Sequence, residues 1–309
     1  MPTVSVVIPM YRAERYIGAA IESLLSQTVG DWEAVIVDDG SPDGSRDITE
    51  SYSKRDNRIR VLEHPGRSNR GVATSRALGV AEARAEFVAL LDADDVFESE
   101  KLALQLKSTA DHPDCVIYHT AGIAVDAEGT DVSEPTLTTT ANRFARTARK
   151  YQFRYDSDYL VQNVILNSST LMRTEVARRA LIHLNQLFQY EDWLLWTRVS
   201  RYGPFFVQPE RLLRYRMHNG SATSRVMQSR LVEIFSHVEY LLSLLAMEEK
   251  DPKICDVLQT RLADAVAVYR QAIDAGEQAV RGIELDVNVL TKRIDRTRNR
   301  WYQRLFRVA

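Results

Sequence analysis

Phe87-Val88-Ala89-Leu90-Leu91-Asp92-Ala93-Asp94-Asp95 is the stretch on which the reading of this chain turns. An apolar run with the character of a buried strand ends in three carboxylates within four positions. Burying an unpaired carboxylate costs several kcal/mol, so the cluster belongs at the open end of the strand, facing positive charge. Side-chain direction repeats every two residues in an extended chain, which puts Asp92 and Asp94 on one face. Two hard oxygen ligands on one face suit Mg²⁺ or Mn²⁺, ions that keep open positions for substrate phosphates. A polar turn or a helix N-cap is the plainer alternative, and Asp95 alone would satisfy it. The three acids together favour a metal.

A second strand end of the same kind lies upstream, where Glu33-Ala34-Val35-Ile36-Val37 closes on Asp38-Asp39-Gly40-Ser41. Val4–Ile8 is a further apolar strand, expected to stop at Pro9, and Ile59–Leu62 a short one. Apolar residues at Ile17, Ala20, Ile21, Leu24 and Leu25 recur at helical spacing, and Gly71–Arg84 reads as a helix. Strands alternating with helices predict a mostly parallel sheet with ligands gathered at the carboxyl ends of its strands. Pro9, Asp39 and Asp92 all follow such ends, so one crevice can hold them. Further along, strands are expected at Cys115–His119, near Ser169–Met172 and at Leu212–Arg216, with helices from near Ser99, at Thr174–Leu181 and at Asp192–Ser200. Ala127–Tyr151 is polar and aperiodic, as a functional lid or a locally disordered loop would be.

These residues resemble a known family. Val4–Tyr11, Val37–Ser41, Asn69-Arg70-Gly71 with Arg76, and Leu91–Asp95 are similar to the nucleotide-binding half of family 2 glycosyltransferases. Tyr190-Glu191-Asp192-Trp193 resembles the family's catalytic-base motif, and Tyr215-Arg216-Met217-His218, followed by Ser221 and Ser224, its closing metal-binding segment. The order and spacing agree over roughly residues 1 to 225. The resemblance implies an α/β architecture of the GT-A type, a Rossmann-like mixed sheet flanked by helices. It also implies a metal-dependent, inverting transfer of a sugar from a nucleoside-diphosphate donor to a hydroxyl acceptor in polysaccharide or glycoconjugate synthesis. A nucleotidyltransferase would need a phosphate loop rich in glycine and lysine, which Pro9–Gly18 does not offer. A non-catalytic nucleotide-sugar-binding scaffold is the other alternative.

The resemblance also implies roles. Asp39, with Asp38 beside it, would hydrogen-bond the nucleobase; a carboxylate accepts from the N3–H of uracil, which cytosine lacks, so a uridine or thymidine donor is favoured. Pro9 and Tyr11 match the first nucleotide-contacting loop, where the Tyr11 ring either stacks on the base or is a core tyrosine. Asn69, Arg76, Asp92, Ala93 and Asp94 complete the donor set, Arg76 lying near the pyrophosphate unless it is a solvated surface arginine. Asp92, Asp94, Asp95 and His218 are the metal candidates for Mn²⁺ or Mg²⁺, with His218 expected to arrive when its loop folds over the donor. Asp192 would be the general base, or else an N-terminal helix cap. Glu191 is the alternative base or an acceptor-orienting group. Trp193 is either an apolar platform for an acceptor sugar or a core residue.

Forty basic against forty-two acidic residues leave a net charge of −2 and give no support to nucleic-acid binding. The two cysteines, Cys115 and Cys255, are too few for a disulfide framework and suit a reducing compartment. With no charged-then-apolar leader and no span of about 20 apolar residues, a cytoplasmic protein is expected. The chain is expected to divide into a nucleotide half, 1–110, an acceptor and catalytic-base half, 111–226, and an α-helical C-terminal extension, 227–309. Leu231, Ile234, Phe235, Val238, Leu241, Leu242 and Leu245 recur at helical spacing with heptad character, as a packed appendage or a homo-oligomer contact would require. Residues 292–309 carry Lys292 and six arginines against Asp295, beside Ile294, Trp301, Leu305 and Phe306. Such a basic tail fits peripheral contact with an anionic membrane, where a lipid-linked glycan acceptor would be found, or docking on another acidic surface.

Overall fold

The computed structural model describes residues 1–133, 142, 150–151, 165–181, 191–221, 241, 265 and 267. The chain forms two compact units, one of residues 1–186 with 195–218 and one of residues 187–194 with 219–309. The helices expected beyond residue 227, the heptad face, the basic tail and most of the polar loop after residue 133 lie outside the described residues. The first part of that loop does not wander: Asp126 Oδ1 accepts the N–H groups of Glu128 and Thr130, and Asp131 bridges back to Val125.

The first unit is built on one mixed sheet. Its strands are β1 (Val4–Met10), β2 (Trp32–Asp38), β3 (Ile59–Glu63), β4 (Phe87–Leu90), β5 (Val96–Phe97), β6 (Ile117–Val125), β7 (Lys150–Tyr151), β8 (Leu171–Arg173) and β9 (Phe205–Arg216). The spatial order is β3-β2-β1-β4-β8-β6-β9-β5, with β7 also paired to β9. Strands β1 to β4 pair parallel, β8 runs antiparallel to both β4 and β6, and β9 runs parallel to β6. Every residue of β1, β2 and β4 is buried, which is why these strands read as continuous apolar runs rather than alternating ones.

Helices cover both faces. Ile17, Ala20, Ile21 and Leu24 of α1 (Ile17–Leu25) join Val4, Val6, Ile8, Ala34, Ile36 and Ala89 in one apolar cluster. Val7 and Val37 point the other way, toward α3 (Val72–Glu82), where a Cβ on Gly79 would lie 2.4 Å from Val7 Cγ1. That glycine lets the helix sit directly on the sheet. The remaining described helices are α2 (Ser45–Ser53), α4 (Lys101–Asp111), α5 (Thr174–Leu181) and α6 (Glu191–Val199). Arg178 of α5 caps α3 from outside, donating to the carbonyls of Val80 and Ala83, where the helix leaves its last C=O groups open.

Two strands run longer than expected and take in a proline each. β1 continues through Pro9 to Met10, because the pairing with β4 has ended: Leu91 N–H donates to Val7 O, and beyond that point the missing N–H of Pro9 faces no neighbour. β9 begins at Phe205 instead of Leu212 and carries Pro209 inside it. Its register against β6 slips between Thr120 and Ala121, where the partner jumps from Gln208 to Arg211, so Pro209 falls in a bulge that asks nothing of its nitrogen.

At the amino ends of the strands a buried polar knot holds β1, β2 and β3 together. Glu33, 6 % exposed, accepts from Ser5 Oγ and Arg84 N–H at 2.7 Å each, and from Arg60 Nη2 at 3.0 Å. Burial opposes ionisation of Glu33, but these donors outweigh it and hold the carboxyl below its ordinary range. A carboxyl whose folded pKa is lowered stabilises the fold above its unfolded pKa and loses that contribution as pH falls through the folded value. Glu33→Gln should therefore lower stability at neutral pH by about 3 kcal/mol, the lower end for breaking a buried ion pair, and flatten the acid limb of the stability curve. Urea denaturation of both forms between pH 3 and 7, values set by the ordinary carboxylate range of about 4, checks this.

Candidate active site

The carboxyl ends of β2 and β4 lie on either side of the carboxyl end of β1, and the residues that follow them are drawn together. Exposure alternates through the turn after β4: Asp92 and Asp94 are half-exposed, whereas Ala93 and Asp95 are buried at 8 % and 2 %. The period-two reading of this segment thus places Asp92 and Asp94 toward the crevice and Asp95 away from it.

Each carboxylate has a separate settlement. Asp92 Oδ1 accepts from Arg76 Nη2 and Asn167 Nδ2, both at 2.9 Å, and its N–H donates to Ser168 Oγ. Arg76 is 5 % exposed, so it is no solvated surface arginine. Asp94 Oδ2 lies 3.0 Å from His218 Nε2. Asp95 departs from its expected place among metal ligands: Oδ2 accepts from Ser168 Oγ at 2.5 Å and Oδ1 from Arg216 N–H at 2.9 Å. Burial, then the charges of Asp94 and Asp92, push its pKa well above the ordinary value. Its geometry is that of a brace between the turn and β9.

His218 stands beside Asp94. Its ring packs on Tyr16 at 4.7 Å between centroids. Arg216 fixes the approach: Nε donates to Asp94 O at 2.8 Å, Nη1 to Asp126 O and Ala127 O at 3.1 and 3.0 Å, and the guanidinium lies over the Tyr16 ring.

On the β2 side, Asp38 and Asp39 are both buried. Asp38 Oδ1 accepts from Ser41 N–H, and Arg46 and Arg67 each come within 4.0 Å of Oδ2. Asp39 accepts the backbone N–H of Arg70 at 2.7 Å and of Gly71 at 2.9 Å, one on each oxygen, leaving a lone-pair site on each for another donor. The loop carrying these N–H groups presses on Gly40, whose φ is +76° and whose Cβ would fall 2.4 Å from Arg67 O. Only glycine fits there. Asn69 is exposed beside this loop, and Pro9 is buried in β1. Tyr11 is 40 % exposed, which removes the core-tyrosine alternative, and the Arg12 guanidinium lies over its ring, 5.3 Å from the centroid.

Glu191, Asp192 and Trp193 belong to the second unit. Asp192 sits inside the first turn of α6 with Oδ1 accepting Trp193 N–H at 2.7 Å, and both acids are half-exposed. Trp193 is 4 % exposed, the burial of a core tryptophan.

Among the described residues no three Asp, Glu, His or Cys side chains converge as a ready cation site. Asp94 and His218 supply one carboxylate and one imidazole side by side, and that oxygen–nitrogen set fits Mn²⁺ or Mg²⁺ when diphosphate oxygens complete the shell. Sequence reasoning missed Asn167, Ser168, Arg216 and His64. The run Asn167-Ser168-Ser169-Thr170, four small polar residues between apolar pairs, was the available signal for the first two.

The chain is similar to several known proteins. A candidate teichuronic acid biosynthesis glycosyltransferase, TuaG of Bacillus subtilis, is 30 % identical over 72 % of this chain and 82 % of its own. Two other curated relatives from B. subtilis are 40 % and 42 % identical, but the matched part spans only 34 % and 28 % of their length. Among solved structures, residues 1–349 of S. aureus TarS in complex with UDP-GlcNAc match with a TM-score of 0.63 at 19 % identity, over 88 % of this chain and 72 % of that one. The mannosyltransferase PcManGT from Pyrobaculum calidifontis, in complex with GDP-Man and Mn²⁺, matches at 0.60 and 16 % identity, over 90 % and 76 %. These likenesses show the fold, a GT-A-like mixed sheet flanked by helices. No helix among the described residues is long and apolar enough to cross a membrane. The sequence model described as glycosyl transferase family 2 matches residues 5–180, more than half of the chain, and the chain belongs to that family.

Proposed function

We propose that the protein is an inverting glycosyltransferase that moves a sugar from a nucleoside-diphosphate donor, a uridine one by preference, to a hydroxyl of a growing polysaccharide or other glycan. The observation that carries this is the pairing of Arg76 with Asp92 at 2.9 Å beside that of Asp94 with His218 at 3.0 Å, at strand ends next to the Asp39 turn. That arrangement has cationic and cation-binding groups for a diphosphate and a carboxylate for a base. TuaG, TarS and PcManGT support the same reading through what their names say they do or bind.

In this reading Asp39 accepts the nucleobase N–H, and the exposed Tyr11 ring stacks on the base. Arg76 holds Asp92 in place and lends positive charge to the diphosphate. Asp94 and His218 would hold a divalent cation, whose chemistry when bound is to neutralise charge on the departing nucleoside diphosphate. Asp192 takes the proton from the acceptor hydroxyl. That oxygen then forms a bond to the anomeric carbon from the face opposite the breaking bond to phosphate oxygen, through an oxocarbenium-like transition state, with inversion. Glu191 orients the acceptor. Asp95, held by Ser168 and Arg216, keeps the turn in register and ligates nothing.

Donor preference tests the reading first. Calorimetry should give tighter binding of UDP than of CDP, because only uracil presents an N3–H to Asp39. Equal binding of the two would remove Asp39 from base recognition.

Removal of the cation ligand tests the metal. Asp94→Ala should abolish transfer and weaken UDP binding measured with Mn²⁺ present, while binding without Mn²⁺ stays as in the wild type. Full turnover in excess chelator would leave these acids with a structural role only.

The base is tested by a near-isosteric change. Asp192→Asn should preserve folding and donor binding while transfer falls about 10²-fold or more. Near wild-type transfer by Asp192→Asn with loss in Glu191→Gln would move the base to Glu191. A product of retained anomeric configuration would rule out single displacement.

A further inference from the structure

His64 follows β3 directly and is 4 % exposed. Its Nε2 lies 2.9 Å from Ser75 Oγ on α3 and 3.5 Å from Asp39 Oδ1. The first is a firm hydrogen bond; the second is an electrostatic contact, strengthened by the low dielectric of a buried site. The Asp39 side chain is 5 % exposed, and a carboxylate so far from water needs compensation. Asp38 draws on Arg46 and Arg67. For Asp39, His64 is the one side chain among the described residues that can carry positive charge within ion-pair range.

The same carboxylate restrains a strained loop. Between His64 and Gly71, Gly66, Arg67 and Gly71 all have positive φ, at 69°, 51° and 86°. For Arg67 this left-handed conformation is unfavourable and has to be imposed by its surroundings. The N–H groups of Arg70 and Gly71, bound to Asp39, tie down the loop just beyond it. Helix α3, Ser75, His64, Asp39 and the loop thus form one chain of contacts, with the imidazole at its centre.

We propose that His64 is a positioning residue that sets nucleobase preference by fixing the Asp39 carboxylate in place as a hydrogen-bond acceptor for the base. The proposal rests on the reading of this crevice as a nucleotide-sugar site. An acceptor-only group rewards a base with a ring N–H, such as uracil, and penalises one with a bare ring nitrogen, such as cytosine. A carboxylate free to turn loses that discrimination.

The test is calorimetric titration of the full chain with UDP and with CDP, for wild type, His64→Leu, His64→Gln and Ser75→Ala. His64→Leu should weaken UDP about tenfold, the scale of one lost charge-assisted contact, and leave CDP nearly unchanged, so the preference collapses. His64→Gln keeps an N–H donor and should recover most of it. In turnover the loss should appear in KM for the donor and not in kcat. An unchanged UDP-to-CDP ratio in His64→Leu, an equal loss for both nucleotides, or a glutamine as damaging as leucine would overturn the proposal. Should thermal melting show that His64→Leu does not fold, Ser75→Ala carries the same test: it frees the ring and should reduce the ratio, and an unaltered ratio refutes the idea. Wild type that binds neither nucleotide would refute the site reading itself, whereas wild type that discriminates alongside a variant that still does refutes His64 alone.

Discussion

Carboxylates standing at the ends of buried strands must be neutralised where they stand, and the architecture around them is largely the means of doing so. Asp38 and Asp39 are met by N–H groups of Ser41, Arg70 and Gly71, Asp92 by Arg76 and Asn167, and Asp95 by Ser168 and the N–H of Arg216. These partners are up to 121 residues away in sequence. Parallel β1, β2 and β4 bring the acids to one end, and antiparallel β8 then returns the 167–169 turn to the same place. The sheet order is therefore also an order of charge compensation, and a strand out of place would leave a buried acid without its donor.

How much of this was legible in the sequence depended on whether the signal was local. Buried parallel strands announce themselves by uninterrupted apolar runs, and Val4–Ile8, Glu33–Val37 and Phe87–Leu90 needed nothing else. Period-two alternation placed Asp92 and Asp94 correctly, and applied one residue further it would also have turned Asp95 inward. β5 is two residues long and exists only because β9 lies beside it, so no window of sequence could reveal it. Two strand ends were missed for one reason. Pro9 was read as a break and β9 was expected only from Leu212, yet Pro9 and Pro209 each occupy a place where the neighbouring strand has ended or slipped, information that resides in the pairing and not in the residue.

Side chains whose work is to hold other side chains were the least legible. Arg216 was visible only as a letter before His218, although it binds three carbonyls and covers an aromatic ring. His64 carried no motif at all. Such residues take their meaning from what long-range folding sets against them, and only the assembled turn gives it. The partition of Asp92–Asp95 between crevice and interior has the same origin: Ser168 and Arg216 decide which acid turns away.

The turn at Gly40 has a consequence for how such a crevice can be retuned. With Arg67 O where a side chain would need to be, and with Asp39 bound to two N–H groups, the floor of the pocket admits almost no substitution without dismantling the loop. Around that floor Tyr11, Arg12 and Arg70 are exposed, Arg12 lying over the Tyr11 ring and Arg70 Nε donating to Ser68 Oγ. Variation is thus confined to the rim. New donors and acceptors can be sampled by exchanging exposed side chains while the welded floor preserves the fold, so that adaptability and rigidity reside in different residues of the same loops.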